Sequence, residues 1–192
     1  ETIQWLEKAV ASGYRDIKEI DNLEDFNAYR GSASFKEVHK KIYNNAYPCS
    51  IDPKQREFDF WIGEWDVFPN GTNQLVGHSL VQKVSGECAL LENWEASRGG
   101  NGKSLNYFDA GANSWEQDWI GSIGGAQRYL NGVYKDSAMR FTYESMNNGQ
   151  KVTGNFIFFN MGPDKVRQYQ DASTDGGKTF TVSYDFIYIR KK

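Results

Sequence analysis

The first 50 residues have the hydrophobic spacing of short amphipathic helices. Ile3, Leu6 and Val10 recur at intervals of three or four positions, which is the spacing of one helix face. Gly13 follows this stripe and is a natural helix stop. We therefore predict a first helix before Gly13.

Two more helices are predicted before residue 50. Asn22 is the expected N-cap of the second helix, which Gly31 would end. The third helix would begin at Ser32 or Ser34 and end at Pro48. Three helices this short bury little apolar surface alone, so we expect them to pack on each other and on the chain that follows.

Beyond residue 50 the pattern changes to the alternation of β-strands. This part holds 17 of the 19 glycines, and turn signals rich in Gly, Asn and Asp separate its apolar segments. The predicted strands are residues 65–68, 78–84, 88–96, 103–109, 114–120, 126–131, 139–145, 152–160, 165–172 and 179–190. Ten strands joined by short turns form an antiparallel meander, and closing it removes both exposed edges.

The fold class is therefore mainly β, an up-and-down antiparallel β-barrel of about ten strands with a small N-terminal α-helical segment. We place the helical segment at residues 1–50 and the barrel at residues 51–192.

Residues 173–180 resemble the Asp-box turn of sialidase-type propellers. Because this motif occurs once, we interpret it only as a tight turn between the last two strands.

Composition excludes several classes of function. The chain has 192 residues, a net charge of −3 and no basic block, which argues against nucleic-acid binding. No apolar run approaches the roughly 20 residues of a membrane-spanning helix.

The two cysteines, Cys49 and Cys88, can pair once, but we expect free buried thiols. The chain opens inside the first predicted helix, so we expect a processed or truncated product and leave the compartment open.

Strand alternation indicates which side chains face the barrel interior. On strand 114–120, Gln117 lies on one face with two tryptophans, while Glu116 and Asp118 share the other. Two carboxylates belong in water, so the tryptophan face is predicted to point inward. A barrel of this size can enclose one small ligand. The candidate ligand-binding residues are Trp94, Asn106, Trp115, Gln117, Trp119, Arg128 and Gln168. The alternative is that the tryptophans fill the core and the polar groups satisfy one another.

Candidate catalytic chemistry rests on Glu92. A carboxyl beside Trp94 inside an aromatic barrel would have a raised pKa and could act as a general base. Alternatively, Arg128 or Arg167 neutralises Glu92 in a structural ion pair. We predict no metal site and no cofactor, since the chain has only two histidines; haem bound through His78 is the one alternative.

The segment Arg56-Glu57-Phe58-Asp59-Phe60-Trp61-Ile62-Gly63-Glu64-Trp65-Asp66-Val67 is distinctive. Together with residues 90–94, 102–107 and 166–168, it resembles the DUF1579-type lipocalin-like domains of bacteria, distant relatives of calycin barrels. The resemblance covers about residue 53 to the C-terminus and implies a β-barrel with a pocket, without an established reaction. Residues 5–14 resemble a helical pair of a tetratricopeptide array, of which only one unit is present; a remnant or a helical cap is the alternative that we favour over a peptide-binding repeat.

Three functions follow as hypotheses. The barrel binds a small, partly apolar molecule, which we favour. Alternatively, it is an enzyme that uses Glu92 for acid–base chemistry on such a molecule. The third hypothesis is an interaction protein in which the helices of residues 1–50 dock a protein partner.

Overall fold

The computed structural model describes residues 1–192. The chain divides into two compact units, Glu1–Asp52 and Pro53–Lys192. Each unit has its own hydrophobic core. No helix in either unit is long and apolar enough to cross a membrane.

The first unit is helical. Its α-helices are α1 (Thr2–Ala11), α2 (Ile17–Asn22) and α3 (Ala33–Ala46). The apolar stripes of these helices meet in one core, formed by Leu6, Val10, Ile17, Ile20, Phe35, Val38 and Ile42. Ser32 is the N-cap of α3, since its side chain accepts a hydrogen bond from the Phe35 backbone N–H at 3.2 Å.

The second helix differs from the sequence prediction. Asp16, not Asn22, is the N-cap of α2, and its carboxylate accepts from the Glu19 backbone N–H at 2.8 Å. Asn22 is the last residue of α2, and the short 3-10 helix Glu24–Phe26 follows. An acidic N-cap six residues earlier thus starts the helix early and leaves the predicted segment as turns.

The second unit is a closed antiparallel barrel of ten sequential strands, as predicted. The strands are β1 (Gly63–Pro69), β2 (Gly77–Val84), β3 (Ala89–Ala96), β4 (Asn101–Asp109), β5 (Ser114–Gly121), β6 (Ala126–Lys135), β7 (Ala138–Asn147), β8 (Gln150–Asn160), β9 (Lys165–Ala172) and β10 (Thr181–Arg190). Each strand pairs with its neighbours in sequence, and β1 pairs with β10 to close the ring.

Strand β6 is longer than predicted. The sequence suggested an end at Asn131, but the strand continues to Lys135. Asn131 has a φ of +56°, and the β6–β7 register shifts between Leu130 and Val133. An asparagine that tolerates this left-handed conformation forms a β-bulge within the strand instead of a turn after it.

Aromatic side chains fill the barrel at the end where β1 begins. The preceding chain forms the 3-10 helices Lys54–Arg56 and Asp59–Trp61. From them, Phe58 and Trp61 enter the barrel core with no exposed surface, and their rings stack at a centroid distance of 5.2 Å. Phe58 also meets Trp115 edge-on at 5.7 Å. This end of the barrel is therefore packed with rings.

The turn between β9 and β10 is organised by one carboxylate. Asp175 accepts hydrogen bonds from the Thr179 hydroxyl at 2.7 Å and from the Lys178 backbone N–H at 3.0 Å. These bonds hold a tight loop, which is the structural role expected for this motif.

The prediction of free thiols was wrong. Neither Cys49 nor Cys88 is free, since both are disulfide-bonded. The position of a cysteine along the sequence does not reveal whether it is disulfide-bonded, because that depends on what lies beside it in the fold.

Candidate functional site

A cavity of about 450 Å³ lies inside the barrel. Seven aromatic residues form most of its wall: Trp94, Trp119, Tyr129, Phe156, Tyr184, Phe186 and Tyr188. Its polar lining consists of Glu92, Gln117, Gln127, Gln168 and Gln170. The exposed residues Gly125 and Ala126 also line it, so the cavity reaches the surface at the β5–β6 turn. Because the strands alternate in direction, this turn lies at the barrel end opposite the aromatic-filled end.

Glycines in the neighbouring strands make room for the two tryptophans of the wall. A Cβ atom at Gly77 would lie 2.6 Å from ring atoms of Trp94, and one at Gly102 would overlap the indole of Trp119. Each indole therefore covers a glycine of the strand beside it, Gly77 in β2 or Gly102 in β4. These glycines set how far the tryptophans project into the cavity.

Glu92 is the one charged residue in the lining, and it is only 2% exposed. The Ser79 hydroxyl donates to its Oε1 at 2.8 Å, and the Ser104 hydroxyl donates to its Oε2 at 3.0 Å. Burial raises the pKa of Glu92 from 4.5 to about 7, although the hydrogen bonds from Ser79 and Ser104 favour the charged form. Glu92 thus changes charge near neutral pH.

Two buried amide oxygens beside this carboxyl lack hydrogen-bond partners. Asn106 donates to the Ser104 hydroxyl at 3.0 Å and to the Leu90 carbonyl at 3.2 Å, but its Oδ1 accepts nothing. Gln117 is its cross-strand partner, and Gln117 Oε1 also accepts nothing. Buried polar atoms are rarely left without partners. The barrel interior therefore holds two amide oxygens that lack donors.

Hydrogen bonds join tyrosines and glutamines of the cavity wall. Tyr188 donates to Gln168 Oε1 at 3.2 Å, and Tyr129 donates to Gln170 Oε1 at 3.0 Å. Gln170 donates in turn to the Tyr143 hydroxyl at 3.1 Å. Burial raises the pKa of Tyr129 and Tyr188 above that of an ordinary tyrosine, so both remain neutral phenols at neutral pH.

Arg128 does not lie in the cavity, which corrects the prediction that it binds a ligand there. It lies on the outer face, where it donates at 2.9 Å to both Asp118 and Glu116. The pairing of β5 with β6 sets Arg128 directly opposite Asp118. Since Asp118 faces outward, its cross-strand partner does too.

Glu92 has no arginine partner either. Arg167 forms a bidentate ion pair with Asp185, at 2.7 and 2.8 Å, on the outer face. With Arg128 also engaged elsewhere, the predicted structural ion pair of Glu92 is wrong. The carboxyl is held by hydroxyl groups alone.

The other predicted residues divide between the cavity and the core. Trp94, Gln117, Trp119 and Gln168 line the cavity. Asn106 is fully buried behind Ser104. Trp115 contacts Phe58 in the aromatic-filled end and donates from Nε1 to Glu57 at 3.2 Å, so it does not reach the cavity.

The histidine considered as a haem ligand lies elsewhere. His78 Nδ1 lies 2.7 Å from Asp66 Oδ1, and the residue is absent from the cavity lining. No group of three or more His, Cys, Asp or Glu residues is arranged to hold a metal ion.

Sequence reasoning missed much of the aromatic wall. Tyr184, Phe186 and Tyr188 alternate along β10, and Tyr129 follows the outward Arg128 in β6. The period-two spacing of the three aromatics in β10 is a usable signal for a cavity wall. The serines that hold Glu92 gave no comparable signal, because small polar residues are common in strands and turns.

The apolar positions of the helices of residues 1–50 are buried in the core of their own unit. The predicted docking of a partner requires exposed apolar surface. The most exposed large apolar residues of this unit are Trp5 and Ile51, at 62% and 58%. Leu23 and Tyr29 are each less than 40% exposed.

In comparison with known proteins, no protein-family model matches this chain, and no curated protein matches it significantly.

Proposed function

We propose that the barrel binds a small, partly apolar molecule in its internal cavity. The observation that carries the proposal is the unequal filling of the barrel. Aromatic rings pack one end, whereas the other end holds about 450 Å³ of space that reaches the surface. Core interiors are normally close-packed, and a pocket of this size with a few polar groups suits a small ligand.

The architecture also supports kinship with the lipocalin-like barrels. The closed ring of ten sequential strands and the aromatic segment before β1 agree with the DUF1579-type resemblance. We propose the relationship on this architecture and on the motif of residues 56–67. The domain division at about residue 50 and a capping role for the tetratricopeptide-like helices are part of the same proposal.

The binding function is tested by native mass spectrometry of protein purified from its natural source. We expect a non-covalent small molecule that is lost on denaturation. Ala126→Trp places bulk in the cavity mouth and should abolish retention. Ala110→Trp, in the exposed turn between β4 and β5, is the matched control and should retain the molecule. Equal retention by both variants would place the ligand outside the cavity.

An enzyme acting in the same cavity is the second candidate function. The observation in its favour is the pKa of Glu92, which burial raises to about 7 and which suits general acid–base catalysis. This candidate predicts that the unaltered protein slowly converts the retained molecule, whereas Glu92→Gln retains it unchanged. Conversion by Glu92→Gln at the normal rate would exclude Glu92 as the acid or base.

A further inference from the structure

The cavity has the charge character of a site for cations. Glu92 is the only charged side chain in its lining, and no lysine, arginine or histidine lines it. A carboxylate or phosphate ligand would meet this carboxyl with no compensating positive group. Anionic ligands are therefore disfavoured.

The carboxylate of Glu92 can accept further hydrogen bonds from a ligand. Ser79 and Ser104 each use one hydroxyl proton on Glu92, which leaves further lone pairs on both carboxylate oxygens. Gln117 is 2% exposed, lines the cavity, and has an Oε1 atom without a donor. Buried carboxylates in proteins are normally paired with a cation, but none is available from the chain here. The missing group is a positively charged donor.

The aromatic wall complements such a group. The faces of tryptophan and tyrosine attract cations, most strongly where water is excluded. Trp94, Trp119, Tyr184 and Tyr188 line the same cavity as Glu92, and the stacked rings of Tyr184 and Phe186 add apolar surface. A molecule with an apolar body and a protonated amine would use every part of this lining.

We propose that the ligand of this cavity is a small organic amine, bound as its ammonium cation with the Glu92 carboxylate as counter-ion. The proposal rests on the binding function above and specifies the chemical class of its ligand. The amine would donate to Glu92, and its apolar body would lie against the aromatic wall.

The test compares three probes that share an indole ring: tryptamine, tryptophol and indole-3-propionate. They end in an ammonium, a hydroxyl and a carboxylate, respectively. Isothermal titration calorimetry at pH 8 should show tryptamine binding about 10- to 100-fold more tightly than tryptophol, which is the range for a charge-assisted hydrogen bond. The carboxylate should bind most weakly.

Glu92→Gln should abolish the preference for tryptamine over tryptophol. Glu116→Gln is the matched control, because it makes the same change on the outer face, where Glu116 pairs with Arg128. This control should leave all three affinities unchanged.

Acidification tests the unaltered protein, and so decides the question even if Glu92→Gln does not fold. The other titratable groups facing Glu92 are the phenols of Tyr129, Tyr184 and Tyr188, and burial raises the pKa of each. Among the groups that line the cavity, only Glu92 therefore changes charge between pH 8 and pH 5.5. With its pKa at about 7, tryptamine affinity should fall about 30-fold over this range, while tryptophol affinity should not.

The outcomes separate the amine assignment from the proposed binding function. Equal binding of tryptophol and tryptamine, or tryptamine binding that does not change with pH, overturns the amine assignment and leaves the cavity as a binding site. Stronger binding of indole-3-propionate overturns the assignment in the same way. If none of the three probes binds at millimolar concentration, the amine assignment fails, and the native mass spectra of the Ala126→Trp and Ala110→Trp variants decide the binding function.

Discussion

Glu92 is a carboxyl that the barrel buries with hydroxyl partners and no cation. Its hydrogen bonds from Ser79 and Ser104 stabilise the carboxylate, but desolvation outweighs them and raises the pKa to about 7. The folded protein therefore holds a proton on Glu92 that an unfolded chain would release at about pH 4.5. This difference links the protonation of one residue to the stability of the barrel.

The free energy of unfolding should fall as the pH rises from about 4.5 to about 7. In this range the folded state binds more protons than the unfolded state, so each increase in pH favours unfolding. A shift from 4.5 to about 7 corresponds to about 3 kcal/mol. Urea denaturation at pH 5 and pH 8, followed by tryptophan fluorescence, measures the difference.

Glu92→Gln should remove that pH dependence, because glutamine does not titrate, and Glu116→Gln should keep it. Parallel stability profiles for the unaltered protein and Glu92→Gln would show that Glu92 ionises normally in the folded state.

At the scale of single residues, alternation along a strand predicted the inward face of β5 from its sequence. Gln117 and Trp119 line the cavity because Glu116 and Asp118 require water. Arg128 was misplaced because its orientation depends on its pairing with Asp118, and sequence alone does not supply that register. The inward position of Glu92 was not predictable either, since β3 carries apolar residues on both faces.

At the scale of elements, the wall of the cavity depends on pairs formed by a tryptophan and a glycine of the next strand. Trp119 in β5 covers Gly102 in β4, and Trp94 in β3 covers Gly77 in β2. A glycine inside a strand normally weakens it. Here its missing side chain is the space that the indole occupies.

Gly102→Ala should destabilise the barrel by about 1–3 kcal/mol, the usual range for overpacking, and weaken ligand retention. The added methyl group would overlap the Trp119 indole and push it into the cavity. Gly121→Ala is the matched control: Gly121 pairs with Gly102 across the strands, yet its Cβ would lie 3.7 Å from its nearest neighbours. We expect this control to change stability by no more than about 0.5 kcal/mol. Denaturation curves and native mass spectra of both variants measure the effects, and equal losses would refute the tryptophan–glycine account.

The elements themselves were largely predictable. All ten strands were expected, because turn signals separate apolar segments of suitable length. The departures arise where local side-chain chemistry changes a boundary. Asp16 caps α2 before the expected start, and Asn131 continues β6 through a bulge instead of ending it. The spacing of apolar residues along the sequence predicts neither the cap at Asp16 nor the bulge at Asn131.

At the scale of the whole barrel, one strand pair closes the ring. β1 meets β10, and an outer-face cluster reinforces the junction. Asp185 in β10 accepts two hydrogen bonds from Arg167 in β9 and one at 2.9 Å from Asn70, which directly follows β1. One carboxylate thus connects three segments at the seam.

Asp185→Asn should lower the free energy of unfolding by about 1–3 kcal/mol, because it breaks charge-assisted hydrogen bonds of a carboxylate that is only 22% exposed. Asp118→Asn is the control, since its pair with Arg128 is more exposed and should contribute no more than about 1 kcal/mol. Hydrogen exchange should locate the loss in the backbone amides of β1 and β10. Exchange that increases equally in all strands would argue against a special role for the seam.

The closed ring also has a consequence for how the chain reaches its native state. Nine of the ten strand pairs are hairpins between consecutive strands, and only the pair of β1 with β10 spans the unit. Hairpins form within microseconds, whereas joining the two ends carries the loop-closure entropy of the intervening chain. Until β10 docks, the meander has two unpaired edges that can pair with another molecule. The seam is therefore the step at which folding and aggregation compete.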